Sequence, residues 1–375
     1  MQSYPVELLQ AMLEAYSPSG SEAQLANLLH EEMTSKGMDA RIDKVGNVVG
    51  VLGNEGPRIL LCGHMDTVPG RIQVRRDGDF LYGRGAVDAK SSLAAMIVGS
   101  TLAKKQIALP VQIIVAAVVE EETSSKGIRA LIDGGPQYDY AVFGEPSGVS
   151  NVIVGYKGSL KLTVGFHSEG GHSASPWLYT SSYEESRAFW AAFEHEILSN
   201  NAQSKFEAVT GCVTNLVTGG LGNSVPADAT LEIDVRVPPT LRMAELIGHI
   251  EEFAARYTAN RERVRIEVRM NDQTEAFLGL TNSKALSSFR WAIRKVMGGQ
   301  VALVKKTGTS DMNLFAGNQN IPMFAYGPGE SRLDHTEAEH VRISEYLASI
   351  EVYVHALSRL VELTQRSESL PAVIR

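Results

Sequence analysis

The stretch Val111 to Val119, VQIIVAAVV, is nine residues long, almost wholly apolar and rich in β-branched side chains. A run of that length and composition reads as a strand buried on both faces, the kind found at the centre of a parallel sheet. It ends abruptly in Glu120-Glu121-Glu122. Three adjacent carboxylates repel one another, and burying them is costly unless cations stand close by. A solvated acidic loop is the plain alternative.

A second apolar run, Ile59 to Cys62, leads to His64 and Asp66. Residues two apart on a strand point to one face, so both side chains can converge just past the strand's carboxyl end. Open α/β sheets bind their ligands there. The stretch Arg58 to Lys90 then closes with Gly83-Arg84-Gly85-Ala86-Val87-Asp88-Ala89-Lys90, which sets a carboxylate at the mouth of an amphipathic helix over Ser91 to Lys105.

Taken in order, the spacing predicts helices from Val6 to Ala15 and up to about Lys36, then paired strands in Ala40 to Leu52 around Gly46-Asn47. After the acid triplet it predicts a helix from Ser124 to Ile132, a strand from Tyr140 to Phe143 and the turn Gly144-Glu145-Pro146. Strand–helix alternation argues for a mostly parallel sheet with helices on both faces. From about Lys157 the texture changes. Strands at Ser159 to Phe166, Phe206 to Val217, Ala229 to Val237 and Val264 to Met270, with helices at Ser181 to Leu198 and Met243 to Arg256, follow a β-α-β-β-α-β order. The α/β texture resumes with a helix at Ser283 to Val296, strands at Val301 to Val304 and Met323 to Tyr326, and a closing helix from Ser344 to about Leu363. Arg366 to Arg375 reads as a loose tail. The expected fold is therefore an α/β domain, residues 1–156 and 271–375, interrupted by an α+β split-βαβ domain at 157–270.

The formal net charge is −8, which argues against nucleic acid and anionic membranes as partners. Two cysteines, Cys62 and Cys212, cannot build a disulfide framework and fit a reducing compartment. Cys62 shares the parity of His64 and reads as core packing. The opening MQSYPVELLQAMLEAYS lacks a basic stretch with a long apolar core behind it, so a cytoplasmic protein is expected. No apolar run approaches the roughly 20 residues of a membrane span.

His64, Asp88, Glu122, Glu145 and His335 all fall at expected strand ends or in the loops after them. Taken singly, Glu145 is a turn acid and His335 and His172 are surface histidines. Together, nitrogen and oxygen donors without thiolate fit Zn²⁺, or Co²⁺ or Mn²⁺, in an open catalytic site. Five ligands exceed the needs of one zinc, and Asp88 could bridge two ions about 3.5 Å apart. The loop Thr307-Gly308-Thr309-Ser310-Asp311 offers amides at a helix N-terminus that could receive an anion, or simply a helix cap.

The motifs His64-x-Asp66, Gly83-Arg84-Gly85-x-x-Asp88-x-Lys90, Glu121-Glu122-Thr123, Gly144-Glu145-Pro146 and His335-Thr336 resemble those of the M20 metallopeptidase and deacylase family, in order and over nearly the whole chain. That family includes acetylornithine deacetylase and succinyl-diaminopimelate desuccinylase. The resemblance implies a zinc-peptidase-like catalytic domain with an inserted dimerisation domain, and hence a homodimer. It implies one Zn²⁺ on His64, Asp88 and Glu145 and another on Asp88, Glu122 and His335. Asp66 would orient His64, and Glu121 would be the general base that takes a proton from the attacking water and delivers it to the leaving amine. Glu120 would be the extra acid, and the Asp88–Ala89 peptide would be cis. His172 would supply the oxyanion donor. Asn223, Arg236, Gly308, Thr309 and Ser310 would bind substrate, Arg236 gripping a free carboxylate.

Within the family, Gly83 to Lys90, Gly308 to Asn313 and Tyr326-Gly327-Pro328-Gly329 most resemble the branch that releases lysine, or ornithine, from an acidic amino-group carrier protein by cutting a γ-glutamyl amide. A small acyl-amino acid is the other expected substrate. On a chain of charge −8, docking an acidic carrier would need a local basic patch, for which Lys305-Lys306, Arg71, Arg75 and Arg76 are candidates. The competing readings are a deacetylase or desuccinylase of the same family, a broader aminopeptidase or dipeptidase, and a non-catalytic scaffold. The last would be marked by loss of a ligand or of the base, and every one of these positions is filled.

Overall fold

The computed structural model describes residues 3–198, 202–259 and 261–368. The chain divides into two compact units. The first takes the chain up to Val154, resumes over Gly279–Val304 and again from Ser310. The second comprises Gly155–Leu278 and Lys305–Thr309.

The strands of the first unit lie in the spatial order Asp39–Ile42, Val48–Leu52, Gln112–Val118, Arg58–His64, Tyr140–Phe143, Met323–Ala325 and Asn151–Tyr156. The four inner strands from Gln112–Val118 to Met323–Ala325 run parallel. Those at the flanks pair antiparallel. The apolar run Val111 to Val119 thus supplies an inner strand, with Ile113, Val115, Ala116 and Ala117 fully buried. Ile113 and Val115 each contribute about 1.5–3 kcal/mol by leaving water.

The helix Lys90–Gln106 departs from its expected single apolar face. Leu93, Ala94, Ala95, Met96 and Ile97 are all fully buried, because the helix lies among the sheet, the helix Ser3–Glu14 and the closing helix Ile343–Glu368. The closing helix runs past the expected end near Leu363, and residues 369–375 of the expected tail lie outside the described residues. A small sheet of Arg75–Asp77, Phe80–Tyr82 and His340–Arg342 was not expected. Its three-residue strands are too short to show a period in sequence.

The second unit carries an antiparallel sheet ordered Thr210–Gly219, Asp228–Val237, Gly158–Ser168 and Val264–Thr274. Burial alternates residue by residue along Gly158–Ser168, as expected of a sheet covered on one face. Leu160, Leu162, Val164 and Phe166 point inward to Phe189 and Phe193 of the helix Ser182–Glu196 and Phe253 of Met243–Ala259. Among the described residues no helix is long and apolar enough to cross a membrane.

Candidate active site

Because the inner strands are parallel, their carboxyl ends share one rim of the sheet. His64 is the last residue of Arg58–His64 and stands in register with Val118 of the neighbouring strand. Glu121 and Glu122 follow that neighbour, and Glu145 follows Tyr140–Phe143. His335 is reached by the loop after Met323–Ala325, and Asp88 lies just before the helix Lys90–Gln106.

These residues converge. His64 Nε2 lies 3.1 Å from Asp88 Oδ1, and His335 Nε2 lies 3.2 Å from Asp88 Oδ2 and 3.0 Å from Glu122 Oε1. Among the described residues, two triads bring their donor atoms within 4.8 Å of one another: His64, Asp88 and Glu145, and Asp88, Glu122 and His335. All six donors are nitrogen or carboxylate oxygen, so the set suits a hard or borderline divalent cation. The Asp88–Ala89 peptide is cis.

Asp66 is fully buried and holds the site together. Its carbonyl lies 3.0 Å and its Oδ1 3.5 Å from His64 Nδ1. The same carboxylate accepts from the backbone N–H of Glu121 at 3.0 Å and of Glu122 at 3.1 Å, and from the Ser19 hydroxyl at 2.7 Å. One side chain therefore orients an imidazole and fixes the turn bearing two acids. Glu120 adopts a left-handed backbone (φ 56°), and its carboxylate pairs with Lys126 and Ser124.

The electrostatics measure how strongly this rim attracts positive charge. Burial disfavours the His64 cation, yet its bonds to Asp66 and Asp88 outweigh that and raise its pKa well above the ordinary value. Bonds to Asp88 and then Glu122 raise His335 to about 10. Burial pushes Asp88 up, but the two imidazoles pull it below the usual carboxylate range. Burial drives Glu121 upward, His64 opposing and Asp311, Glu145 and Glu122 adding to the rise.

Four residues had no functional reading in sequence. Glu339, 1% exposed, accepts from the N–H groups of Val87 at 2.9 Å and Asp88 at 3.1 Å. Arg84 meets it at 2.8 Å and also donates to the carbonyls of Gly70 and Thr336. Lys90, 1% exposed, donates to the carbonyls of Met12 and Ala15 at 2.9 Å each, at the end of the helix Ser3–Glu14. A cation suits that end of a helix, but burial lowers this amine from 10.5 to about 7. Asp311 is buried, which raises its carboxyl to about 7, with His64 pulling it down. The motif glycines are explained sterically. Gly85 has φ +86°, and a Cβ there would stand 2.9 Å from Thr67 and 3.0 Å from Lys90. A Cβ on Gly327 would fall 1.9 Å from the Ser92 hydroxyl and 2.8 Å from the Glu145 carbonyl.

His172, Asn223, Arg236, Gly308 and Thr309 belong to the second unit. Arg236 Nη1 reaches the Thr309 hydroxyl at 3.3 Å, while Nη2 is held by Asp234 at 2.8 Å. The short strand of Gly171–His172 pairs with Ser224–Val225, and the Asn223 carbonyl accepts from Ser173 N–H at 3.0 Å, so His172 and Asn223 share one hairpin-like element. His172 Nδ1 accepts from Ala174 N–H, which leaves the proton of the neutral ring on Nε2. Ser310 caps the helix Asp311–Ala316, its hydroxyl accepting from Met312 N–H and its N–H donating to Asn313. Cys62 is a core residue whose thiol burial pushes up.

The chain is 35% identical over 95% of its length to a protein of Pyrococcus abyssi named as a putative [LysW]-lysine/[LysW]-ornithine hydrolase, covering 94% of that protein. It is also 35% identical to a [LysW]-lysine hydrolase of Deinococcus radiodurans, over 95% of this chain and 96% of that one. Among solved structures it resembles an M20 family metallo-carboxypeptidase of Sulfolobus solfataricus, with a TM-score of 0.81, 17% identity, and coverage of 96% of this chain and 99% of that one. A dinuclear metal binding peptidase of Bacillus subtilis has a TM-score of 0.73 at 13% identity, covering 97% of this chain and 98% of that one. The model of peptidase family M20/M25/M40 matches residues 60–359, and the chain belongs to that family of metal-dependent amide hydrolases.

Proposed function

We propose that this enzyme hydrolyses the amide joining lysine, or ornithine, to the γ-glutamyl end of a carrier protein, or a small N-acyl conjugate of the same amino acids, in lysine or arginine biosynthesis. The observation that carries the reading is that Asp88 spans both imidazoles, at 3.1 and 3.2 Å, with the acid Glu121 beside them. In this reading His64, Asp88 and Glu145 would hold one divalent ion, and Asp88, Glu122 and His335 the other. Asp88 would be shared by both, and Zn²⁺ would be the first choice ahead of Co²⁺ and Mn²⁺. Bound there, the ions would polarise the scissile carbonyl and acidify a water molecule.

The chain's own residues account for the remaining chemistry. Glu121, its affinity for a proton raised by burial and neighbouring acids, takes a proton from the attacking water and returns it to the leaving amine. Asp66 holds His64 and the Glu121-Glu122 backbone in one geometry. His172, with its proton on Nε2, donates to the developing oxyanion. Arg236 and Thr309, joined at 3.3 Å in the second unit, receive the free carboxylate of the released amino acid, with Asn223 and Gly308 of that unit assisting.

The names of the relatives support a carrier-borne substrate. An acidic carrier would dock on Lys305, Lys306, Arg71, Arg75 and Arg76, and charge reversal there would raise KM for the carrier without changing turnover of a small substrate. The second unit would form a homodimer, since Thr210–Gly219 lies at the edge of its sheet with Val217 exposed. The protein would work in the cytoplasm.

The deciding experiment is a panel of metal-loaded assays on a γ-glutamyl-lysine carrier conjugate, acetyl-lysine, acetyl-ornithine, succinyl-diaminopimelate and simple dipeptides. The expected order has the carrier conjugate first in kcat/KM. Equal hydrolysis of the dipeptides sinks the biosynthetic reading.

A further inference from the structure

The two triads share Asp88, each takes one glutamate from just beyond a strand, and they differ in how their histidines are held. His64 is the last residue of a strand. His335 lies in a loop between the short helix Ser331–Leu333 and the strand His340–Arg342, half exposed and with a left-handed backbone of φ 63°. A non-glycine residue in that conformation persists only where its surroundings enforce it. Asp88 is likewise on a loop. Yet the two meet at 3.2 Å.

The contacts that enforce this geometry run through one buried ion pair. Glu339 Oε1 accepts from the N–H groups of Val87 and Asp88, which fixes the backbone carrying the shared carboxylate. Its Oε2 meets Arg84 Nη1 at 2.8 Å. That same nitrogen donates to the carbonyl of Thr336, the residue after His335, at 3.1 Å, while Arg84 Nε is anchored on the Gly70 carbonyl at 2.9 Å. Arg84 is 6% exposed and Glu339 1%. A planar guanidinium can make these three bonds at once, and an ammonium cannot reproduce that fork.

We propose that Arg84 and Glu339 are positioning residues that set the spacing of Asp88 and His335, and thereby the affinity of one of the two metal sites, the one holding His335. This rests on the two-ion reading above. The other site shares Asp88 but has His64 at a strand end braced by Asp66, and loss of Arg84 leaves Glu339 bonded to the Val87 and Asp88 N–H groups, so that site should stay nearly intact. Glu339→Gln keeps a carbonyl acceptor for the Val87 and Asp88 N–H groups but loses the charge that anchors Arg84, and should behave like Arg84→Met.

The test is Co²⁺ titration of metal-free protein by calorimetry and visible absorption, with bound metal counted after dialysis. Wild type should take up two ions. Arg84→Met and Glu339→Gln should hold one ion as wild type does and the second about 10–100-fold more weakly, the range usual when a partner supporting a metal ligand is lost. Arg84→Lys serves if Arg84→Met does not fold, and should fall on the same side. Wild-type binding of both ions by these variants, or equal weakening of both, overturns the proposal while the two-ion reading stands. A wild type that takes up only one ion overturns the two-ion reading and the proposal with it.

Discussion

His64 and His335 reach the same carboxylate at nearly the same distance, 3.1 and 3.2 Å, by opposite means. His64 is 2% exposed, ends a strand and is braced by Asp66. The side chain of His335 is 49% exposed, on a loop whose course depends on hydrogen bonds from elsewhere. For His64, burial opposes the positive charge and carboxylate partners overcome it, whereas for His335 the carboxylates are the leading influence and burial is secondary. A strand end gives precision at the expense of desolvation. A loop avoids that expense but must borrow its rigidity.

The comparison can be broken at several points. The largest effect is expected at Glu121, which faces acids from both triads. Glu121→Gln should lower kcat by about 10²–10⁴-fold with bound metal unchanged, and loss of an ion along with activity would make Glu121 a ligand instead. Next, His64→Ala should destabilise the fold by about 1.5–3 kcal/mol in urea unfolding of the metal-free protein, because it removes an imidazole bonded to Asp66 and Asp88 while Asp66 keeps its bonds from Ser19 and the Glu121 and Glu122 N–H groups. His335→Ala should cost less than His64→Ala, because the His335 side chain is half exposed; equal losses would erase the distinction. A divalent ion at a hundred times its Kd should stabilise the protein by about 2.7 kcal/mol per site, read from the unfolding midpoint. Because His335 holds a proton up to about pH 10, an ion must displace it, so affinity should fall by up to about tenfold per unit as pH drops from there. Calorimetry in buffers of different ionisation enthalpy counts the protons released, and no release would refute the charged imidazole.

A separate effect, on the pH dependence of stability, concerns Lys90. Its folded pKa, about 7, lies below its ordinary 10.5, so between those values the unfolded chain binds the extra proton. Stability should therefore rise with pH across that window. Lys90→Met should flatten the slope when unfolding is compared at pH 7 and pH 9.5.

Much of the candidate site was legible because His64, Glu122 and Glu145 combine a place at or soon after a strand end with a chemically distinctive side chain, while Asp88 and His335, on loops, stood out only as parts of motifs. His64 after Ile59 to Cys62, and Glu121-Glu122 after Val111 to Val119, need only periodicity and composition to be noticed. Glu339 illustrates the opposite case. It stands two residues from Glu337 in Glu337-Ala338-Glu339, and nothing in the pattern separates them, yet Glu337 is exposed and Glu339 is buried. Its importance comes from a partner 255 positions away. The three-residue strands of the small sheet, and the burial of the helix Lys90–Gln106 on every face from Lys90 to Thr101, were illegible for the same reason. Both follow from what packs against a segment and not from the segment itself.

The 255-residue span between Arg84 and Glu339 also bears on how the protein is made. Chains are synthesised at about 5–20 residues per second, so Arg84 leaves the ribosome roughly 10–50 s ahead of its carboxylate. For that interval the nascent sheet holds His64, Asp66 and the acid triplet while the loop that completes their surroundings has not been translated. The rim must stay open to water until the last part of the chain arrives. A chain that stops before Glu339 would therefore lack both this carboxylate and the helix Ile343–Glu368 that covers Lys90–Gln106, so its centre and the packing behind it would be unfinished together.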